Sequence, residues 1–180
     1  MRNDMEFLDI LTSRYSSRCY TTEDIPEKSI QYILQAGLLA PSGRGIYPID
    51  FIVVKDKNIL KKLSECKISS AHMLNNANCA IVVIGDTSKS DMIIEDASIV
   101  MTIMHLAATN IGIGSCWIQC RNRYTNSGES TNSYIQRLLQ YPSVYCVEAI
   151  LSLGMIPTGE DIAKKSKTID ESRIHIHTFL

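Results

Sequence analysis

Between Ala97 and Cys120 the chain carries no Asp, Glu, Lys or Arg, and this gap in charge constrains the fold more than any other feature. Within it Ser98, Thr102, His105 and Thr109 recur at steps of four, three and four, which places them on one stripe of an α-helix. Apolar residues fill nearly every other side, and Gly112 and Gly114 then interrupt the pattern. A polar stripe cut off by glycines does not suit a membrane span, so the stretch reads as a helix buried almost all round. In a chain of 180 residues the core is small, which favours a partner chain as part of that burial.

The rest of the chain supplies the other layers. Phe7, Leu8, Ile10 and Leu11 mark a short amphipathic helix from about Asp4 to Ser13, with Asn3 or Asp4 as its cap. Ile30, Ile33, Leu34, Gly37 and Leu38 follow helical spacing, with Pro26 in the first turn, Asp24 and Glu27 resembling a capping box, and Pro41 beyond the end. "DFIVVKD" (Asp50 to Asp56) and "CAIVVIGD" (Cys79 to Asp86) are β-branched apolar runs expected to be strands covered on both faces. "KNILKKLSECK" between them reads as a helix, and the long helix is expected from Asp91 to about Ile111. "SCWIQC" (Ser115 to Cys120) and "VEAILSLGM" (Val147 to Met155) read as two further strands, separated by the polar loop "RNRYTNSGESTNS" and the short helix "YIQRLLQ". After Met155 the tail holds too little apolar surface for a core of its own and is expected to lie on another surface.

Composition excludes several classes of function. A formal net charge of -1, with 45% hydrophobic and 21% charged residues, describes one globular domain over 1–180 with no bias toward nucleic acid. Six cysteines form no CxxC pair and have no histidine at metal-ligand spacing, so they read as reduced thiols of a cytoplasmic protein. Asp4, Glu6 and Asp9 interrupt the N-terminal apolar residues, unlike a secretory signal.

Two segments suggest an anion. In "SRYSSRCY" Arg14 and Arg18 lie four apart around Ser16 and Ser17, and arginine grips phosphate through paired charge-assisted N–H bonds. A cation at a helix end followed by a solvated turn is the plainer reading. "APSGRG" (Ala40 to Gly45) stops a helix and can expose backbone N–H groups to an anion, or be only a turn. The glycines of "NIGIG" do not form GxGxxG, so no Rossmann dinucleotide site is supported. His105, His175 and His177 read as structural.

Taken in order, "SRYSSRCY", "LLAPSGRGIYPIDFIVV", "HLAATNIGIGSCWI" and "EAILSLGMIP" resemble the nitroreductase family of FMN-dependent oxidoreductases over nearly the whole chain. The resemblance implies an α+β fold, a central mixed or antiparallel sheet flanked by helices, with residues 156–180 as a C-terminal arm reaching a partner subunit. It implies a homodimer with FMN at the interface. Arg14, Ser16 and Arg18 would contact phosphate, ribityl chain and flavin edge, and Pro41, Ser42 and Gly43 would reach the same flavin from the other subunit. Gln119, Cys120 and Arg121 would lie against the ring, and Lys165 and Lys167, with Arg173 as the alternative to Lys167, would reach the phosphate. Where many members follow the Ala-Pro-Ser turn with Asn and then Gln-Pro-Trp, this chain has Gly45, Tyr47 and Asp50, so Arg44 or backbone N–H groups are the expected substitutes.

The implied activity is ping-pong hydride transfer from NAD(P)H through FMN to a nitroaromatic, a quinone or a similar small acceptor. No catalytic acid or base is assigned on the protein. The alternatives are a flavoprotein that stores or senses FMN without turnover, and a related flavin enzyme such as a dehalogenase. No nucleic-acid or membrane partner is expected.

Overall fold

The computed structural model describes residues 6–157 and 168–179. Its centre is a four-stranded sheet in the order β1-β2-β4-β3, formed by β1 (Ile49–Val54), β2 (Cys79–Asp86), β3 (Gly114–Gln119) and β4 (Tyr145–Gly154). Every neighbouring pair is antiparallel, which resolves the expectation of a mixed or antiparallel sheet.

Helices cover both faces. On one lie α2 (Glu27–Leu38) and α4 (Ile93–Asn110), whose Ile30, Ile33, Met101 and Met104 pack on Ile81, Val83, Leu151 and Leu153. On the other, α3 (Lys57–Leu63), a 3₁₀ turn at His72–Asn76 and α5 (Thr131–Leu139) pack on Val82, Ile84, Ile118 and Ile150. The short α1 (Phe7–Ser13) rests on α4. β2 and β4 are the inner strands, so both of their faces are covered; this is why their sequences run apolar without alternation. β1 was expected to be covered in the same way, but it is an edge strand and leaves Asp50 and Val53 exposed.

Local chemistry moves several boundaries. Asp56 ends β1 and caps α3, its Oδ1 accepting from the backbone N–H groups of Asn58 and Ile59 at 2.8 and 2.9 Å. At the start of α2 no side chain caps the helix: Pro26 stands at the cap, and Glu27 pairs with Lys55 instead of closing a box with Asp24. The long helix begins at Ile93, because Asp91 turns outward to Arg44. α5 begins earlier than expected, at Thr131, capped by the Ser130 hydroxyl on the Ser133 N–H.

Nine of the eighteen residues of α4 are buried in the single chain, short of the all-round burial expected from its uncharged run, and Ile94 (41%) and Ile99 (38%) stay exposed. Leu38 at the end of α2, Leu39 just beyond it, and Phe7 and Leu8 of α1 are exposed as well. Residues 168–179 are exposed throughout and contain one 3₁₀ turn, Glu171–Arg173. No helix among the described residues is long and apolar enough to cross a membrane.

One close contact positions the segment that follows α1. A Cβ built on Gly154 would fall 2.3 Å from Tyr20 Cγ, so the tyrosine ring lies flat on the end of β4. Gly154→Ala should therefore cost about 1–3 kcal/mol, seen as a Tm lower by roughly 2–12 °C in thermal unfolding. An unchanged Tm would show that the ring has room to move.

Candidate functional site

The segment from Arg14 to Thr21 is tied across the ends of β3 and β4. Ser17 N–H donates to the Ser115 carbonyl and Thr21 N–H to the Met155 carbonyl, both at 2.9 Å. The Tyr20 hydroxyl donates to the Ser17 carbonyl and shares a bond with Ser152 Oγ, both at 2.8 Å. Burial pushes this phenol well above its ordinary pKa, so it stays protonated and the clasp holds across the working pH range.

This clasp sets Arg14 beside the long helix. Arg14 Nη1 lies 3.0 Å from His105 Nε2, and His105 Nδ1 lies 2.5 Å from Ser115 Oγ. His105 is buried, on the stripe whose periodicity first marked the helix. Next to Arg14 a cavity of about 200 Å³ is lined by Ser13, Tyr15, Thr109, Gly112, Gly114 and Ser115. Gly112 (φ 74°) has nothing within 4 Å of an added Cβ, so the helix-to-strand turn leaves open space there. Arg18 is exposed, and its guanidinium donates to the Ser16 carbonyl at 3.3 Å. Arg14, Ser16 and Arg18 thus lie together around the start of β3.

The far end of β3 is held by a residue that sequence reasoning overlooked. Opposite Val83 and Ile84 of β2, strand β4 supplies Ala149 and Val147, leaving Glu148 as an extra residue in a β-bulge. The bulge turns the buried Glu148 toward β3. Its Oε1 accepts from Gln119 Nε2 at 2.8 Å and its Oε2 from Arg121 Nε at 3.0 Å, while Trp117 Nε1–H donates to Gln119 Oε1 at 2.9 Å. The Glu148 carbonyl takes the N–H groups of both Cys120 and Arg121. A lone acid inside the apolar run "VEAILSLGM" was the available signal. Cys120 packs its thiol into the opposite apolar cluster, where burial pushes its pKa up. Only its backbone faces the edge of β3. Beyond it a groove of about 380 Å³ runs past Arg121 and Arg123 to Ile93 and Ile94.

Pro41, Ser42, Gly43 and Arg44 form a separate cluster. Asp96, buried in the first turn of α4, takes the Ser42 hydroxyl on Oδ2 at 2.7 Å and the Gly43 N–H on Oδ1 at 2.8 Å. Tyr47 N–H in turn donates to Ser42 Oγ at 2.9 Å. The Ser42 proton and the Gly43 N–H are therefore already used within the chain. Arg44 pairs with Asp91 at 2.7 Å, but both side chains are largely exposed and the pair adds little stability.

The Pro41–Arg44 turn leads into β1, whereas β3, with Arg14 and Ser16 near its start and Gln119 at its far end, is the opposite edge of the sheet; Asp91, the partner of Arg44, lines the same groove as Arg121. Lys165 and Lys167 lie outside the described residues, and Arg173 is exposed in the tail.

The fold is thus a three-layer α/β/α sandwich with a cavity at the start of an edge strand, close in sequence to Arg14. A sequence model of the Nitroreductase family matches residues 11–71 and 67–155, and the chain belongs to that family. An Archaeoglobus fulgidus protein, provisionally named NADH dehydrogenase/NAD(P)H nitroreductase, is 35% identical across 94% of this chain and 97% of its own length. The solved structure of an FMN-dependent nitroreductase from Clostridium difficile R20291 superposes with a TM-score of 0.89 at 39% identity, covering 96% of this chain and all of that one. A nitroreductase with bound FMN from Bacteroides fragilis reaches 0.74 at 26% identity, over 96% and 98% of the two chains.

Proposed function

We propose that the chain is an FMN-dependent oxidoreductase that takes electrons from NAD(P)H and passes them to a nitroaromatic, a quinone or a similar small acceptor. The reading is carried by one observation: Arg14 is hydrogen-bonded to a buried histidine, while its chain neighbours Ser13 and Tyr15 line a cavity with Gly112, Gly114 and Ser115 at the start of an edge strand. The residues present suit FMN. Arg14 and Arg18 offer charge for a phosphate, and the cavity lined by Ser13, Tyr15 and Gly114 adjoins this segment.

When bound, FMN supplies the two-electron chemistry that side chains lack. The protein's part is positioning. Arg14, with Ser16 and Arg18 beside it, holds the anionic end. Glu148 fixes the Gln119 amide and the Arg121 guanidinium on the strand edge where the ring would lie. That shared carboxylate offsets part of the Arg121 charge and leaves its other N–H groups for a ligand.

The opposite placement of the two clusters supports a homodimer in which the Pro41–Arg44 turn of one copy completes the β3 site of the other. The exposed Ile94, Ile99, Leu38 and Leu39 give such an interface its apolar surface. Lys165 or Lys167 from the tail would add charge at the phosphate.

Purified protein loaded with FMN should show a flavin spectrum that NADH or NADPH bleaches under anaerobic conditions, with colour restored on adding a quinone. A flavin spectrum that neither nicotinamide changes would assign the protein to storage or sensing instead.

A further inference from the structure

We propose that His105 is a positioning residue: it is held as the neutral Nδ1–H tautomer and acts as the acceptor that aims Arg14 at the anionic group of the ligand. This inference rests on the flavin reading for the identity of that ligand, but not for the contact itself.

The tautomer follows from the partners. Arginine has five N–H donors and no acceptor, so a guanidinium 3.0 Å from His105 Nε2 requires a lone pair on that nitrogen. A proton on Nε2 would face the guanidinium N–H directly, and the doubly protonated ring would add like charge. The proton of a neutral ring must then sit on Nδ1, which lies 2.5 Å from Ser115 Oγ and donates to it. Ser115 is itself fixed, being in β3 with its carbonyl bound by Ser17 N–H. The edge strand thus sets the histidine, and the histidine sets the arginine. Thr109 Oγ1–H bonds the His105 carbonyl at 2.9 Å and steadies the helix just beneath the ring.

The arrangement has a functional consequence because a free arginine side chain gives up about 2 kcal/mol of rotamer entropy when a ligand orders it. Anchoring one N–H on His105 removes part of that cost before the ligand arrives and keeps the other N–H groups available. No side chain other than a histidine in this tautomer, or a group of the same shape, can accept from Arg14 and also donate to Ser115 at this spacing. The bland alternative is a buried histidine that merely satisfies its own hydrogen bonds.

Two variants separate these roles. His105→Gln can present an amide oxygen near the position of Nε2, whereas His105→Asn reaches only the position of Nδ1 and loses the acceptor for Arg14. FMN titration of the flavin-free dimer, followed by flavin fluorescence, should give a dissociation constant within about threefold of the parent for His105→Gln. For His105→Asn it should be about tenfold weaker, the change expected for one lost bond to a charged group. Equal affinity in both variants would overturn the proposal. Nitrogen-15 NMR of the flavin-free protein, with His105 assigned by its absence in His105→Gln, should give the shifts of an Nδ1–H imidazole. An Nε2–H signature would also overturn it. Failure of the parent to take up FMN would refute the flavin reading, while the tautomer measurement would still decide whether His105 serves Arg14.

Discussion

Arg14→Ala should purify as folded protein almost free of flavin. Two charge-assisted bonds to a phosphate are worth about 1.5–3 kcal/mol each, so removing the guanidinium should weaken FMN binding by roughly 10²–10⁴-fold. The fold should survive, because Arg14 is half-buried at the end of α1 and the clasp of Ser17, Tyr20 and Thr21 does not depend on it. Arg14→Lys is the informative control: it keeps the charge but not the fork, and should fall between the two. Unfolding in urea should stay cooperative for all three proteins, with the alanine midpoint lowered only by the lost bond to the buried His105, about 1–3 kcal/mol. Full flavin occupancy in the alanine variant would remove Arg14 from the site.

The second large effect is on stability. Asp96→Ala deletes both acceptors of the Ser42–Gly43 turn and leaves a hydroxyl and a backbone N–H unpaired at half-buried positions. At about 1.5–3 kcal/mol for each bond to a charged group, the loss is about 3–6 kcal/mol, a large fraction of the 5–15 typical of a domain. It also removes a negative charge from the first turn of α4, where the helix dipole favours one. Asp96→Asn, with one carbonyl oxygen left to accept, should lose about half as much. The measurement is the urea midpoint at constant m, and a midpoint equal to that of the parent would mean that the turn stands without its carboxylate.

Much of the architecture was legible because burial leaves a plain trace. The uncharged run around His105 and the largely apolar strands read at Cys79–Asp86 and Val147–Met155 each announced an element enclosed by others. β1 misled because its composition matches an inner strand while its place in the sheet is an edge, and nothing local to "DFIVVKD" encodes which neighbour is missing. The cap of α2 misled for a similar reason: Glu27 had a better partner in Lys55, which is distant in sequence.

At the candidate site the basic and small-residue segments stood out, but the groups that hold them did not. Asp96, His105 and Glu148 act across 54, 91 and 29 residues, on Ser42, Arg14 and Gln119 respectively. Spacing along the chain carries no record of such pairs. His105 reads from the sequence as structural, and its contact with Arg14, the first arginine of the anion segment, could have been suggested by the helix stripe only if the position of β3 were known.

The bulge at Glu148 has one more consequence. On one side of it Ala149, Leu151 and Leu153 point to the α4 face; on the other, Val147 joins Ile150 on the opposite face, so odd-numbered residues change sides at this point. Strand β4 behaves like a text whose reading frame slips by one letter. Excising residue 148 would bring the two halves into phase with their apolar faces kept, whereas excising Val147 or Ala149 would put Glu148 in an apolar place, and a cut farther along would turn part of the strand inside out. For packing, then, Glu148 is a surplus letter in the strand, and its presence is explained by the two side chains it holds.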